Sequence, residues 1–278
     1  MIGTPGLAIP IDKYHGYWDY TSVDIQKLQQ NIPSLIAYLK KESLNDLIDI
    51  TAFSKALGQG LFFNSNIPIG YGVGSSGALC AALLDQFGIG QANLSLSRLK
   101  MIFSQMESFF HGTSSGIDPL VSYLDSPLLF GKHIKKITLQ KANTLTGGTF
   151  FLIDTGIQRK AEPYIQSFLE KTQNEWFQKK CEAILLPLVE DAIQTFIKGQ
   201  WTFLFSTMHE LSLFQYRYFD FMIPDTFKSP WLTGLSSTNY KLKICGAGGG
   251  GFLLGVSNNY DLTKNELKKY SLIPFMQF

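Results

Sequence analysis

The stretch Pro68–Ala78 constrains this chain more than any other part of its sequence. Small residues dominate it, and an apolar run typical of a helix follows directly. The small residues are Gly70, Gly72, Gly74, Ser75, Ser76 and Gly77. A helix N-terminus presents backbone N–H groups that lack intrahelical acceptors, together with the positive end of the helix dipole. We therefore predict that this segment, the glycine loop, leads into a helix whose first turn binds an anion, phosphate in particular.

Two interpretations of the serines in the glycine loop remain open. Ser75 and Ser76 can cap the helix with their hydroxyl oxygens, or they can ligate a Mg²⁺ that also holds phosphate groups. The loop lacks the Gly-Lys-Ser/Thr ending of a P-loop, and its glycine spacing differs from that of a dinucleotide fingerprint. Whether the glycine loop binds phosphate therefore has to be inferred from other parts of the chain.

Composition narrows the classes of partner. The chain has 278 residues, of which 45% are hydrophobic and 17% charged, enough for one large domain or two ordinary ones. A formal net charge of +2 is too small to indicate binding to nucleic acid or to an anionic membrane surface. No apolar run approaches the roughly 20 residues that span a bilayer, and no signal-peptide pattern opens the sequence. We predict small-molecule partners, no nucleic acid and no membrane.

Cysteine usage indicates the compartment. Cys80, Cys181 and Cys245 are widely spread, and none forms a Cys-x-x-Cys pair. An odd number at such spacing is typical of reduced thiols, which indicates the cytoplasm. The sequence leaves the oligomeric state open, with a homodimer as one option.

The pattern of elements changes near residue 145, where we place a boundary between domains 1–144 and 145–278. Short strands and amphipathic helices surround the glycine loop before this point, and a strand, long helices and late strands follow it. Strands are predicted at 7–10, 14–18, 61–63, 149–154, 242–245 and 252–256, and helices from Ser22 or Asp24, over 46–57, from Ser95 or Ser97, and from Glu162.

Glu107 is the first candidate outside the glycine loop. The residues four before and three after it are Phe103 and Phe110, so its carboxylate borders the apolar face of a predicted helix. A partly buried carboxylate there needs a cation or strong hydrogen-bond donors. The alternative is an edge residue whose carboxylate reaches solvent.

Asp118 ends a second loop of small polar residues, His111–Asp118. A carboxylate in such a loop could accept the proton of a hydroxyl that attacks a phosphoryl group. The alternative is an ordinary turn aspartate before Pro119.

A late run of glycines, Gly246–Gly251 with Ala247 inside it, lies between two predicted strands. Glycine between strands costs order, so a close approach of some other group must compensate. That group can be another backbone segment or a ligand, and Gly248 and Gly249 lie within the run.

Together and in this order, these pieces resemble the GHMP kinase superfamily, named for its galacto-, homoserine, mevalonate and phosphomevalonate kinases. Its motif Pro-x-x-x-Gly-Leu-Gly-Ser-Ser-Ala/Gly-Ala is similar to the glycine loop, with Val73 in place of leucine. Its motif Lys-x-Thr-Gly-Ala-Gly-Gly-Gly-Gly is similar to Lys243–Gly251, with Cys245 in place of threonine.

The middle of the chain resembles mevalonate kinases in particular. In that branch a metal-ligating glutamate precedes His-Gly-x-Pro-Ser-Gly-x-Asp, whose aspartate is the proposed base. Glu107 and His111–Asp118 are similar to this arrangement, with the same spacing and with Ser114 where proline is usual.

The resemblance implies an α+β, two-domain GHMP kinase fold, with an N-terminal domain like domain 2 of ribosomal protein S5 and a ferredoxin-like C-terminal domain. It implies an ATP-dependent kinase that phosphorylates a small-molecule alcohol and is most like mevalonate kinase. Mg²⁺ would be held by Ser76 and Glu107, and Asp118 would be the catalytic base. The implied ATP-binding residues are Gly70, Gly72, Gly74, Ser75, Ser76, Gly77, Gly248 and Gly249.

One motif of the family has no counterpart in this sequence. It contains Pro-Gly-Lys followed by Gly-Glu-His/Tyr, and Lys13 does not match its lysine because Lys13 follows the corresponding turn. We therefore expect either that the chain lacks the first strand of its N-terminal domain or that the protein has lost activity. Another branch, such as a phosphomevalonate or sugar kinase, and a catalytically impaired nucleotide-binding relative stay open.

Overall fold

The structure, a computed structural model, describes residues 6–20, 32–42, 44–139, 148–158 and 161–278. These residues separate into two compact units. The N-terminal unit comprises the described residues of Leu7–Pro68 and Val73–Ile137, and the C-terminal unit comprises those of Ile69–Gly72 and Thr138–Phe278 together with Gly6. The predicted boundary between residues 144 and 145 and the helix start at Ser22 or Asp24 lie outside the described residues and stay predictions.

The N-terminal unit combines helices with small sheets. Its helices are α1 (Ile32–Lys41), α2 (Ile50–Gly58), α3 (Ser75–Phe87), α4 (Leu96–His111) and α5 (Ile117–Leu124), with 3₁₀ turns at Leu44–Asp46 and Gln91–Asn93. Its strands are β1 (Gly6–Ala8), β2 (Gly16–Asp19), β3 (Phe62–Ser65), β4 (Leu128–Phe130) and β5 (Lys135–Lys136). β4 lies between β1 and β5, and β2 pairs with β3 in an antiparallel ladder.

Three helices, α3, α4 and α5, pack together behind the end of the glycine loop. Apolar side chains fill the space between them, because α4 buries one face and α3 is apolar almost throughout. The buried side chains include Leu79, Leu83, Leu84, Ile102, Phe103, Met106 and Leu120. A Cβ on Gly77 would lie 2.9 Å from the backbone nitrogen of Pro119, so α3 and α5 approach closely at that point.

The C-terminal unit packs helices against one four-stranded sheet. Its strands are β6 (Thr149–Asp154), β7 (Tyr240–Ile244), β8 (Phe252–Ser257) and β9 (Leu272–Gln277), in the order β7-β8-β6-β9 with antiparallel neighbours. Its helices are α6 (Glu162–Lys171), α7 (Glu175–Lys180), α8 (Leu186–Ile197), α9 (Trp201–Tyr218), α10 (Asp225–Ser236) and α11 (Tyr260–Glu266), with a π turn at Cys181–Leu185 and a 3₁₀ turn at Asp220–Met222.

Aromatic side chains dominate the core of this sheet. Phe151, Trp231 and Tyr240 are fully buried in one apolar cluster. In the ladder between β6 and β8, Phe151 lies opposite Gly255, and a Cβ on Gly255 would lie 2.1 Å from the phenylalanine ring. The ring therefore occupies the space that a side chain at position 255 would need.

A buried lysine on β7 caps the C-terminal end of α10. Lys241 is 5% exposed, and its Nζ donates to the carbonyl oxygens of Gly234, Leu235 and Ser237 at 2.8, 3.3 and 2.5 Å. These carbonyls lie at the C-terminal end of the helix, where the last carbonyl groups have no intrahelical N–H donor. Burial lowers the pKa of the Lys241 ammonium below its ordinary value.

Several predicted elements are confirmed. The strand at 149–154 and the helix starts at Glu162 and after Ser95 are observed, and the Ser95 hydroxyl caps α4 by accepting the Arg98 N–H. The turn interpretation of Asp118 is wrong, because Asp118 lies in the first turn of α5. Within the described part of the chain, no helix is both long enough and apolar enough to cross a membrane.

Candidate active site

The glycine loop turns through three residues in a conformation that favours glycine. Gly70, Gly72 and Gly74 have φ angles of 81°, 71° and 79°, in the left-handed region where a Cβ is disfavoured. Their alternation in the sequence thus reflects the path of the backbone. Gly70 and Gly72 belong to the C-terminal unit, and Gly74 belongs to the N-terminal unit.

The loop ends at a helix start with free donors. Gly74 is the N-cap of α3, and the first intrahelical bond runs from the Ala78 N–H to the Gly74 carbonyl oxygen at 2.8 Å. The N–H groups of Ser75, Ser76 and Gly77 therefore have no acceptor inside the helix. No serine hydroxyl caps α3, so the capping interpretation of Ser75 and Ser76 is wrong.

The Ser76 hydroxyl instead contacts two side chains of α4. Its Oγ lies 3.1 Å from Glu107 Oε1 and 2.9 Å from His111 Nε2. Because the hydroxyl has one proton, donating it to Glu107 requires His111 Nε2 to donate to Ser76. Glu107 and His111 are four residues apart, so they lie on the same face of α4.

Glu107 is 5% exposed, so the interpretation in which its carboxylate reaches solvent is wrong. Burial is the main cause that raises its pKa above the ordinary value, and the charge of Asp118 raises it further. Hydrogen bonds from Ser114 and Ser76 and the charge of His111 act in the opposite direction. The site therefore holds two neighbouring carboxylates, one of which is buried.

Ser114 is the second hydroxyl donor to this carboxylate. Its Oγ donates to Glu107 Oε2 and accepts the Gly116 N–H at 3.0 Å. Ser76 donates to Oε1, so each carboxylate oxygen receives one hydroxyl proton. This arrangement fixes the plane of the Glu107 carboxylate.

Asp118 lies beside the start of α3. Its side chain is exposed, and a Cβ on Gly74 would lie 3.6 Å from the Cβ of Asp118. A Cβ on Gly77 would also lie 3.2 Å from that atom. The absence of side chains at both glycines therefore lets Asp118 sit directly against the helix start.

The remaining predicted nucleotide-binding residues lie in the C-terminal unit. Gly70 packs against Gln158, whose side-chain amide donates to the Ile69 carbonyl oxygen at 3.0 Å. Gly72 lies in the same segment. Gly70 and Gly72 lie in the C-terminal unit, whereas Glu107 lies in the N-terminal unit. The nucleotide-binding role of these two glycines therefore stays a prediction.

The late glycine run contacts protein backbone. Gly248 and Gly249 are buried, and their N–H groups donate to the carbonyl oxygens of Cys245 at 3.2 Å and Met222 at 2.6 Å. A Cβ on Gly249 would lie 2.0 Å from the ring of Tyr164. Of the two explanations for this run, the structure shows backbone approach, and nucleotide binding by Gly248 and Gly249 stays a prediction.

The oxygen atoms around Glu107 fit Mg²⁺. This ion prefers oxygen ligands, and proteins commonly hold it with one or two carboxylates plus substrate phosphates. A divalent cation would stabilise the ionised form of a buried carboxylate that lies near a second one. Among the described residues, no group of three or more His, Cys, Asp or Glu side chains is arranged to hold a metal, so phosphate would have to complete the coordination. The unpaired N–H groups at the start of α3 fit such a phosphate.

A family of known proteins matches part of this chain. Residues 36–126, which include Glu107, Asp118 and the glycine loop, match the family described as GHMP kinases N terminal domain. A search of curated proteins finds no significant match.

Solved structures of similar fold include three kinases. A mevalonate kinase from L. major in complex with R-mevalonate is 17% identical with a TM-score of 0.65, covering 96% of this chain and 84% of its own. A Lactococcus lactis galactokinase with galactose is 12% identical with a TM-score of 0.62, covering 93% and 77%. A Streptococcus pneumoniae phosphomevalonate kinase with phosphomevalonate and AMPPNP is 15% identical with a TM-score of 0.56, covering 99% and 89%.

The fold is the α+β, two-domain fold of these small-molecule kinases, as predicted. The family match over residues 36–126 and the mevalonate kinases that recur among the structures of similar fold support the resemblance to the GHMP kinase superfamily seen in the sequence.

Two residues of the site have no role in the sequence-based prediction. His111 and Ser114 belong to the second loop motif, but the motif does not show that His111 contacts Ser76 or that Ser114 contacts Glu107. Two features of the sequence point to these contacts: the i, i+4 spacing of Glu107 and His111, and the serine at position 114 in place of the usual proline.

Proposed function

We propose that this chain is an ATP-dependent kinase that phosphorylates a small-molecule alcohol. The observation that carries the proposal is the buried Glu107, which accepts the Ser76 hydroxyl at the start of α3 and lies close enough to Asp118 for that charge to raise its pKa. Phosphoryl transfer needs positioning and charge neutralisation near a base for the nucleophile. The N-terminal unit has groups for each of these tasks.

The binding residues lie at one helix start. The N–H groups of Ser75, Ser76 and Gly77 would bind phosphate oxygens, and the left-handed Gly74 keeps this turn free of side chains. Ser76 Oγ and the Glu107 carboxylate would hold Mg²⁺. When bound, Mg²⁺ and ATP would supply the transferable phosphoryl group and the neutralisation of its charge.

Asp118 would act as the base. Its exposed carboxylate, in the first turn of α5, would accept the proton of the alcohol as the hydroxyl oxygen attacks. The position of Asp118 against Gly74 and Gly77 would place that proton transfer beside the phosphate-binding turn.

Mevalonate is the first substrate to test, because mevalonate kinases are among the structures of similar fold and because Glu107 and Asp118 match their motif. The experiment is ADP release with mevalonate, phosphomevalonate, galactose and homoserine side by side. We expect the highest kcat/KM with mevalonate. A clear preference for another of the four alcohols would assign the chain to a different branch of the superfamily.

A nucleotide-binding relative without turnover is the second candidate. The observation that favours it is the absence of a match to the lysine of the first family motif. AMPPNP binding together with no ADP release across the four alcohols would support this candidate and contradict the kinase. Cys80, Cys181 and Cys245 are not joined by disulfide bonds, which supports a cytoplasmic location in either case.

A further inference from the structure

Ser114 and Ser115 are neighbouring serines with similar local roles but different reach. Each hydroxyl accepts the backbone N–H two residues ahead, from Gly116 at 3.0 Å and from Ile117 at 3.3 Å. Ser114 also donates to Glu107 Oε2. Comparing Ser114 with Ser115 therefore distinguishes the hydrogen bond to the turn backbone, which both serines make, from the hydrogen bond to the Glu107 carboxylate, which Ser114 makes.

The Ser114 hydroxyl is held in position from two sides. Ser104 Oγ donates to the Ser114 carbonyl oxygen at 2.6 Å, which ties the backbone of Ser114 to α4. The Gly116 N–H approaches a lone pair of Ser114 Oγ, so the hydroxyl proton is directed elsewhere, and Glu107 Oε2 accepts it. The donor is thus positioned before any ligand binds.

We propose that Ser114 is a positioning residue that orients the Glu107 carboxylate for metal binding. The proposal rests on the metal site of the proposed function. A carboxylate that ligates a metal is commonly held by an outer hydrogen-bond partner, and loss of such a partner typically weakens metal affinity about 10–100-fold. In this chain Ser114 holds Oε2 while Ser76 contacts Oε1.

The position of Ser114 makes the assignment specific to this chain. Proline is usual at this place in the resembling motif, and proline has no hydroxyl to donate. Ser114 therefore adds a donor to Glu107 that the motif itself does not provide.

The experiment measures how strongly Mg²⁺ promotes nucleotide binding. Calorimetry gives the AMPPNP affinity at saturating Mg²⁺ and in EDTA, and the ratio of the two is the metal coupling. Ser114→Ala should reduce this ratio about 10-fold. Ser114→Thr, which keeps a hydroxyl, should restore most of it, and Ser115→Ala, which removes only a turn hydroxyl, should leave it unchanged.

Two further variants make the test independent of a folding defect. Ser114→Pro removes the same hydroxyl by introducing the residue of the motif, and it should show the same loss as Ser114→Ala. In a Glu107→Gln background, Ser114→Ala should cause no additional loss, because the carboxylate through which it acts is gone.

Several outcomes overturn the proposal. Unchanged coupling in both Ser114→Ala and Ser114→Pro does so, and so does an equal loss in Ser115→Ala. If Mg²⁺ does not change the AMPPNP affinity of the wild-type protein, both the role of Ser114 and the metal site itself are refuted. If Mg²⁺ promotes AMPPNP binding to the wild-type protein but none of the four alcohols is phosphorylated, the kinase proposal is refuted. The role of Ser114 in metal binding is then retained.

Discussion

Gly116 offers a sharp test of the packing beneath Asp118. It is the N-cap of α5 with a φ of 71°, and a Cβ there would lie 2.3 Å from the Lys100 carbonyl oxygen and 2.7 Å from the Ser104 nitrogen. Both atoms belong to the backbone of α4, so no rotamer change can relieve the overlap. Gly90 is a matched control, because it is also an N-cap in the left-handed region, with a φ of 69° and a ψ of 12°, but a Cβ there would meet nothing within 4 Å.

The free-energy costs of the two glycine-to-alanine substitutions differ only in the steric overlap of the new Cβ with its surroundings. Alanine in the left-handed region costs about 1–2 kcal/mol at either position, and the reduced freedom of the unfolded chain offsets both variants equally. Overlap with a packed backbone adds about 1–3 kcal/mol. We therefore expect Gly116→Ala to lower the free energy of unfolding by about 1–3 kcal/mol more than Gly90→Ala.

Urea denaturation measures this difference. Circular dichroism follows both units, and fluorescence of the four tryptophans, of which Trp18 lies in the N-terminal unit against Phe53 and Phe63, is a second probe. Coincident transitions with an unchanged m-value justify a single free energy for each variant. Equal losses in the two variants would refute the close contact between Gly116 and α4.

Three further predictions concern the site and the C-terminal unit. Asp118→Asn should lower kcat by roughly 10²–10⁴-fold while AMPPNP affinity stays near wild type, and a near-normal rate would remove Asp118 from the mechanism. Glu107→Gln should raise the stability of the ligand-free protein to urea at pH 7.5, because the raised pKa of Glu107 means that stability is lost as pH rises through the folded-state value. This advantage should shrink as pH falls toward 4.5, the ordinary pKa of a glutamate, and an advantage independent of pH would contradict the burial argument. Lys241→Met should lower the free energy of unfolding in urea by about 1.5–3 kcal/mol, because buried carbonyls lose a charged donor. Lys228→Met, which breaks a surface pair with Asp225, should cost much less. Similar losses in both variants would argue against the helix-capping role of Lys241.

Much of the fold follows from local sequence signals. The continuous apolar run at 150–153 is too short for a helix and is bounded by Thr149 and Asp154, so it indicates a buried strand. Ser95 stands directly before an amphipathic pattern, which is the ordinary signature of a helix start. Such signals depend only on neighbours in the chain, and single-sequence reasoning can use them.

The details of the site depend on contacts that local patterns do not contain. Ser76 looks like a cap because it stands in the first turn of α3, yet its partner Glu107 is 31 residues away. Asp118 looks like a loop residue because glycine and serine precede it, but the left-handed Gly116 starts a helix directly before it. The sequence leaves the burial of Glu107 as one of two alternatives, because periodicity locates the apolar face of a helix but does not show how far other segments cover the edge of that face.

The pairing of Phe151 with Gly255 also bears on how the C-terminal sheet finds its alignment during folding. β6 is buried on both faces through most of its length, so alternation of polar and apolar side chains carries little information about which residues of β8 belong opposite it. A shift of one residue would bring Leu254 or Val256 opposite the Phe151 ring. The space that a glycine leaves for one ring thereby disfavours misaligned pairings that hydrophobicity alone would tolerate.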